Sequence, residues 1–158
     1  MKVCVATASE AETRALGERI GALLRPGDVV VLDGALGMGK TAFAKGVARA
    51  LGVTDAVVSP SFAMVREYEG RLRMLHVDVY RLDRFQEVHD LGLDDELGEQ
   101  AVTVIEWGGR VGALLPPERL VVALEPGDGD DERRITIEAV GPTWAGRLDG
   151  LTAAIGSR

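Results

Sequence analysis

Cysteine is nearly absent: Cys4 stands alone, so no intramolecular disulfide can staple the fold. No apolar run approaches the roughly 20 residues that span a bilayer, which excludes a membrane helix. The opening Met1-Lys2-Val3-Cys4-Val5-Ala6-Thr7 is too short an apolar run for a secretory signal. The cytoplasm is therefore the expected compartment. A basic excess is missing as well, with 18 Lys and Arg against 25 Asp and Glu and a net charge of −7. Dedicated nucleic-acid binders draw most of their affinity from neutralising phosphates, so this balance argues against tight, direct RNA or DNA binding. The longest charge cluster, Asp128 to Glu132, is acidic and has the character of a solvated turn. Internal repeats, low-complexity tracts and Pro/Ser-rich linkers are also lacking, so no domain boundary is visible and residues 1–158 are expected to form a single domain.

What is present suits a globular core. Apolar residues make up 46% and charged residues 27% of 158, and a chain of this length buries about two thirds of its unfolded surface without staples. Ser9-Glu10-Ala11-Glu12 has the form of a capping box, in which the Ser9 hydroxyl accepts from the Glu12 amide. Behind it Leu16, Ile20, Leu23 and Leu24 recur at helical spacing, predicting a helix from about 10 to 24, ended by Arg25-Pro26-Gly27. Val29-Val30-Val31-Leu32 is a mostly β-branched run of the kind covered on both faces in parallel sheets. A glycine-rich turn follows, then a helix over Lys40 to Leu51 closed by Gly52. Phe62 to Tyr68 and Arg71 to Tyr80 are expected to form a hairpin around Glu69-Gly70. Residues 83–97 are expected to be helical, Val102 to Glu106 a short buried strand, and the stretch near 109–114 a short helix. Val121 to Leu124 and Arg134 to Glu138 form a late hairpin, and Thr143 to Ile155 a closing helix. Helices alternating with apolar strands, together with hairpins, predict an α/β fold with a mixed central sheet flanked by helices.

The segment between that first apolar strand and its helix carries chemistry. Gly34-Ala35-Leu36-Gly37-Met38-Gly39-Lys40-Thr41 satisfies G-x-x-x-x-G-K-[ST] in full, the pattern of a P-loop NTPase. Glycines let the backbone curl so that successive N–H groups point inward at phosphate oxygens. The next helix adds its unpaired amides and positive dipole end. Lys40 is suited to reach the β- and γ-phosphates and the Thr41 hydroxyl to hold Mg²⁺, so ATP and Mg²⁺ are the expected cofactors.

Hydrolysis also requires a carboxylate for the metal and a group that orients water. Two acidic residues end apolar strands: Glu106 in Val102-Thr103-Val104-Ile105-Glu106, and Asp78 in His76-Val77-Asp78-Val79-Tyr80. Strand alternation sends Leu75, Val77 and Val79 to one face and Met74, His76, Asp78 and Tyr80 to the other. An Asp in so apolar a stretch requires a partner, for which Mg²⁺ or a water would serve. The alternative is that Asp78 and Glu106 pair with arginines such as Arg81 or Arg110 at the sheet edge. His76 is expected as a satisfied structural histidine and His89 as a surface residue, while Trp107 adjoins Glu106 and so the phosphates.

These motifs in this order resemble the bacterial TsaE (YjeE) family of ATPases, which serve the machinery that makes threonylcarbamoyladenosine in tRNA. The resemblance rests on the P-loop at Gly34 to Thr41, on Ser59-Pro60-Ser61-Phe62 with Tyr68 six residues on, on His76 to Arg81, and on Glu106-Trp107. It runs from about Thr13 to the late hairpin. It implies that Thr41 and Glu106 are metal ligands, that Asp78 is catalytic and positions water, and that residues 59–62 form a switch-like loop beside the γ-phosphate. It further implies an adenine pocket near Glu10 and a late arginine, Arg134 or Arg133, close to the nucleotide. Met38 and Ser61 depart from the family pattern without removing a backbone N–H or a hydroxyl. The implied partners are TsaD-like and TsaB-like proteins, with tRNA contacted only through them, and the implied role is to reset that complex between rounds. A small-molecule kinase, which would produce ADP only with an acceptor present, and a nucleotide-binding scaffold without turnover are the competing readings.

Overall fold

The computed structural model describes residues 2–58, 65–78, 100–106 and 117–156. Seven strands, β1 (Lys2–Thr7), β2 (Val29–Asp33), β3 (Val65–Tyr68), β4 (Met74–Asp78), β5 (Val102–Glu106), β6 (Arg119–Pro126) and β7 (Arg133–Val140), form one sheet in the order β1-β7-β6-β2-β5-β4-β3. The inner strands β6, β2, β5 and β4 run parallel, whereas β1, β7 and β3 pair antiparallel at the two margins. Helices α1 (Glu10–Gly21), α2 (Lys40–Ala50) and α3 (Leu148–Gly156) flank the sheet. This is the mixed α/β architecture expected from the alternation of helices, apolar strands and hairpins.

Several expectations shift in detail. The first helix stops at Gly21 rather than 24, because Ala22, Leu23 and Leu24 close it through hydrogen bonds to Glu18, Ile20 and Gly21. Its Ser9 cap accepts from Glu12, as the capping box requires. The closing helix begins as a 3-10 turn over Pro142–Arg147, since Pro142 supplies no N–H and suits a first turn. The β3–β4 hairpin has a longer connection than Glu69-Gly70, because its register starts at Tyr68 opposite Met74. Strand β1 is an addition: its alternation of half-buried Val3 and Val5 with exposed Lys2, Cys4 and Ala6 is the period of an edge strand. The expected helices at 83–97 and near 109–114, the segment Ser59 to Phe62, and Tyr80, Arg81, His89, Trp107 and Arg110 lie outside the described residues.

One face of the sheet carries the main core. Val30, Leu32, Met74, Val102, Val104, Leu120, Val122, Ile135 and Ile137 pack under Leu16 and Ile20 of α1, Phe43, Val47 and Leu51 near α2, and Trp144, Leu151 and Ile155 of the C-terminal segment. Helices α1 and α2 meet through glycine. A Cβ on Gly17 would run into the Phe43 carbonyl, and one on Gly46 into the Arg14 carbonyl. At Gly21 a Cβ would come within 2.9 Å of the Val47 Cα and of the Ala50 Cβ. That close crossing seats α2 against the sheet and aims its N-terminus at the carboxyl edge of β2. At the opposite edge Asp28 anchors the C-terminal segment: its carboxylate accepts from both terminal nitrogens of Arg147 (2.9 and 2.7 Å) and from the Arg25 amide (2.7 Å). Arg147 also donates to the Leu23 carbonyl and lies 4.0 Å from the Trp144 ring centroid. Among the described residues no helix is long and apolar enough to cross a membrane.

Candidate active site

Parallel strands of one sheet end at the same edge, and loops beyond those carboxyl ends are where open α/β sheets hold ligands. In register, Leu32 of β2 lies beside Glu106, and Glu106 lies beside Asp78. The Gly34–Thr41 segment leaves β2 at that edge. Gly34, Gly37 and Gly39 all have positive φ, and the values of +81° at Gly37 and +105° at Gly39 are left-handed, where a side chain would strain the backbone. Phe43 N bonds back to the Gly39 carbonyl, so helix α2 starts at the loop with Lys40 in its first turn.

The cleft at this edge has a volume of about 430 Å³. Its wall brings together most of the residues singled out above: Glu10, Leu36, Gly37, Met38, Gly39, Lys40, Thr41, Asp78 and Glu106. Gly34 underlies the loop as the carbonyl that Lys40 caps. Lys40 is only 5% exposed, and its ammonium donates to the carbonyls of Gly34 and Ala35. Burial pushes the Lys40 pKa below its ordinary value, and the nearby charges of Glu106, Asp33 and Asp78 oppose that shift. Asp78 and Glu106 are both buried. Leu36, 87% exposed, stands at the outer rim. Glu10 opens α1 and is paired on the surface with Arg14 at 3.2 Å.

Arg134 falls elsewhere, in a neighbouring cleft lined also by Ala6, Glu12 and Arg19. The cradle is met instead by Arg133, whose Nε donates to the Met38 carbonyl (3.2 Å) and whose Nη2 donates to that of Gly37 (3.4 Å). The physical reason is strand alternation. Arg133 has the parity of buried Ile135 and Ile137, while Arg134 has the exposed parity, a signal legible in the sequence. Three further residues line the wall: Thr13, Ala42 and Asp131. Thr13 lies one helical turn after Glu10, on the same face, and shares a 2.8 Å hydroxyl contact with Thr7. Asp131 belongs to the acidic turn, which is solvent-exposed as expected and also borders the cleft.

The donors suit a nucleotide with a hard cation. Among the described wall residues carboxylates outnumber cationic side chains four to two, so a cation bound with the phosphates would lessen the repulsion they meet there. The Thr41 hydroxyl and the Glu106 carboxylate are oxygen donors of the type Mg²⁺ takes. Among the described residues no group of three or more His, Cys, Asp and Glu could hold a metal unaided. Mg²⁺ of this kind completes its shell with phosphate oxygens and water.

Known proteins match both sequence and fold. The family model for the threonylcarbamoyl adenosine biosynthesis protein TsaE covers residues 7–135. The tRNA threonylcarbamoyladenosine biosynthesis protein TsaE of Bacillus subtilis is 45% identical over 136 residues, 85% of this chain and 84% of that one. Its counterpart from Treponema pallidum is 40% identical over 134 residues, 85% of this chain and 98% of that one. The crystal structure of Bacillus subtilis YdiB superposes with a TM-score of 0.82 at 38% identity, covering 97% of this chain and 95% of the other. Since the matched span takes in the whole glycine loop and both strand-end carboxylates, and the fold agrees over nearly the full length, the chain belongs to the TsaE family.

Proposed function

We propose that this chain is the Mg²⁺-dependent ATP-binding and ATP-hydrolysing subunit of the machinery that installs N6-threonylcarbamoyladenosine in tRNA. In this reading it acts with TsaD-like and TsaB-like partners and resets their complex between rounds. The observation that carries the ATPase reading is the meeting of a buried Lys40, a left-handed glycine loop and two buried strand-end carboxylates in one cleft. Membership of the TsaE family carries the pathway.

The residues divide the work. Loop amides and the α2 N-terminus receive the phosphates. Lys40 exchanges its two carbonyl partners for β- and γ-phosphate oxygens, and its positive charge offsets theirs. Thr41 and Glu106 would hold Mg²⁺, which supplies charge neutralisation across the phosphates as the terminal phosphoryl group leaves. Asp78, beside Glu106 in register, accepts a hydrogen bond from the attacking water and orients it. Glu10 and Thr13 border the adenosine side, and Arg133 braces the loop through the Gly37 and Met38 carbonyls. A net charge of −7 fits a subunit that meets tRNA only through its partners.

Steady-state ATP hydrolysis with Mg²⁺, for the chain alone and with TsaD-like and TsaB-like proteins added, tests this reading. Slow turnover that rises with the partners is the expected result. ADP formation that requires a small-molecule acceptor would replace it with a kinase.

A further inference from the structure

His76 is fully buried, 0% exposed, in the middle of β4. A buried imidazole requires a polar partner, and each unsatisfied group costs stability. Among the described residues, neither ring nitrogen of His76 finds a hydrogen bond of acceptable geometry. Its polar neighbour among the described residues is Glu106: Nε2 lies 2.6 Å from the Glu106 Oε2, an atom that is itself buried and has no well-aligned hydrogen bond among those residues. Sheet register explains the meeting. His76 is aligned with Val104 and Asp78 with Glu106 on parallel strands, so His76 lies one pleat behind the two carboxylates on the same face. Only Asp78 and Glu106 reach the cleft wall; His76 does not.

We propose that His76 is the positioning residue for Glu106, fixing from inside the core the carboxylate orientation with which Glu106 meets a divalent cation. The inference rests on the metal-ligand reading of Glu106 and deepens it. The 2.6 Å contact lies at the short limit for N–H···O and off its axis. A small swing of the carboxylate brings one oxygen onto the imidazole and commits the other to the cleft. Such partners behind metal-binding groups typically contribute 10- to 100-fold in metal affinity.

The test measures Mn²⁺ affinity by electron paramagnetic resonance on the ADP-bound chain, and the affinity of a fluorescent ADP analogue without metal. Three variants enter: His76→Gln, whose amide nitrogen reaches the position of Nε2; His76→Asn, which is polar but too short; and Glu106→Gln. His76→Asn should weaken Mn²⁺ binding about 10-fold or more while metal-free ADP affinity stays within about 2-fold, and His76→Gln should restore most of the loss. A merely structural histidine would lower the melting temperature in both His76 variants and leave Mn²⁺ affinity unchanged, which overturns the proposal. If Glu106→Gln binds Mn²⁺ like the parent, the metal-ligand reading fails first and the His76 inference falls with it. If Glu106→Gln weakens Mn²⁺ binding and His76→Asn does not, only the positioning role is lost.

Discussion

The two ends of β2 both bury charge, and they treat it in opposite ways. At the amino end the Asp28 carboxylate is saturated by Arg147 and the Arg25 amide, and Arg147 is saturated in turn by Leu23 and the Trp144 ring. At the carboxyl end Lys40 rests on loop carbonyls, Glu106 keeps a poorly aligned oxygen, and carboxylates outnumber cations among the described residues of the wall. Buried charges that are fully paired hold a fold together, because removing one partner strands the other in a low dielectric. Buried charges gathered at a cleft can exchange partners with a ligand, which is the mark of a candidate site. One strand thus links an anchor to a cradle.

The sharpest break of this comparison is Asp78→Ala. Hydrolysis should fall by roughly 10²- to 10⁴-fold, while nucleotide affinity, measured by titration of a fluorescent analogue, stays within a few-fold. Equal loss of binding and turnover would mean that Asp78 belongs to the cradle and not to the chemistry. At the other end of β2, Arg147→Ala should cost about 3–5 kcal/mol of stability, seen as a lower denaturation midpoint, with nucleotide affinity unchanged in the remaining folded protein. Lys40→Ala should do the reverse. It should weaken nucleotide binding by about 2–4 kcal/mol, the range for losing one partner of a buried charged contact, and should preserve the melting temperature or raise it, since it removes a buried cation.

Smaller effects sharpen the comparison. Gly46→Ala gains about 1 kcal/mol in helix propensity, yet its Cβ meets the Arg14 carbonyl across the α1–α2 crossing. Overpacking against backbone atoms, about 1–3 kcal/mol or more, should win, giving a net loss in chemical denaturation. The mildest expectation concerns pH. Lys40 has its pKa lowered by burial, so as pH rises its neutral form appears earlier than for an ordinary lysine. Phosphates require the charged form, so nucleotide affinity should decline with rising pH below the ordinary lysine range, and Lys40→Met should lose that decline. The same shift has the opposite sign for stability: the folded chain binds fewer protons than the unfolded one, so this group's contribution to folding improves as pH rises through the lowered pKa.

Much of the cradle was legible because it is local. A loop pattern eight residues long, between a β-branched run and a helix, fixes its own turn chemistry, and a capping box fixes the start of α1. The acidic residues Asp78 and Glu106 were also local signals, since each stands in an apolar run. Arg133 required the parity of β7 to be weighed against Ile135 and Ile137, and the edge strand β1 required a weak alternation in its opening residues to be taken as signal. The His76 contact was invisible in the sequence: it depends on β4 and β5 lying side by side in parallel register.

The sequence by itself determined the phosphate loop, the helix that follows it and the kind of side chain at each strand end, because these depend on backbone conformation and on periods of a few residues. Only the tertiary structure decided that Thr13 and Asp131 share a wall with Lys40, that Arg133 rather than Arg134 does so, and that His76 stands behind Glu106. Those meetings arise from sheet order and from a helix crossing that only glycine permits, and both come from packing between segments distant along the chain.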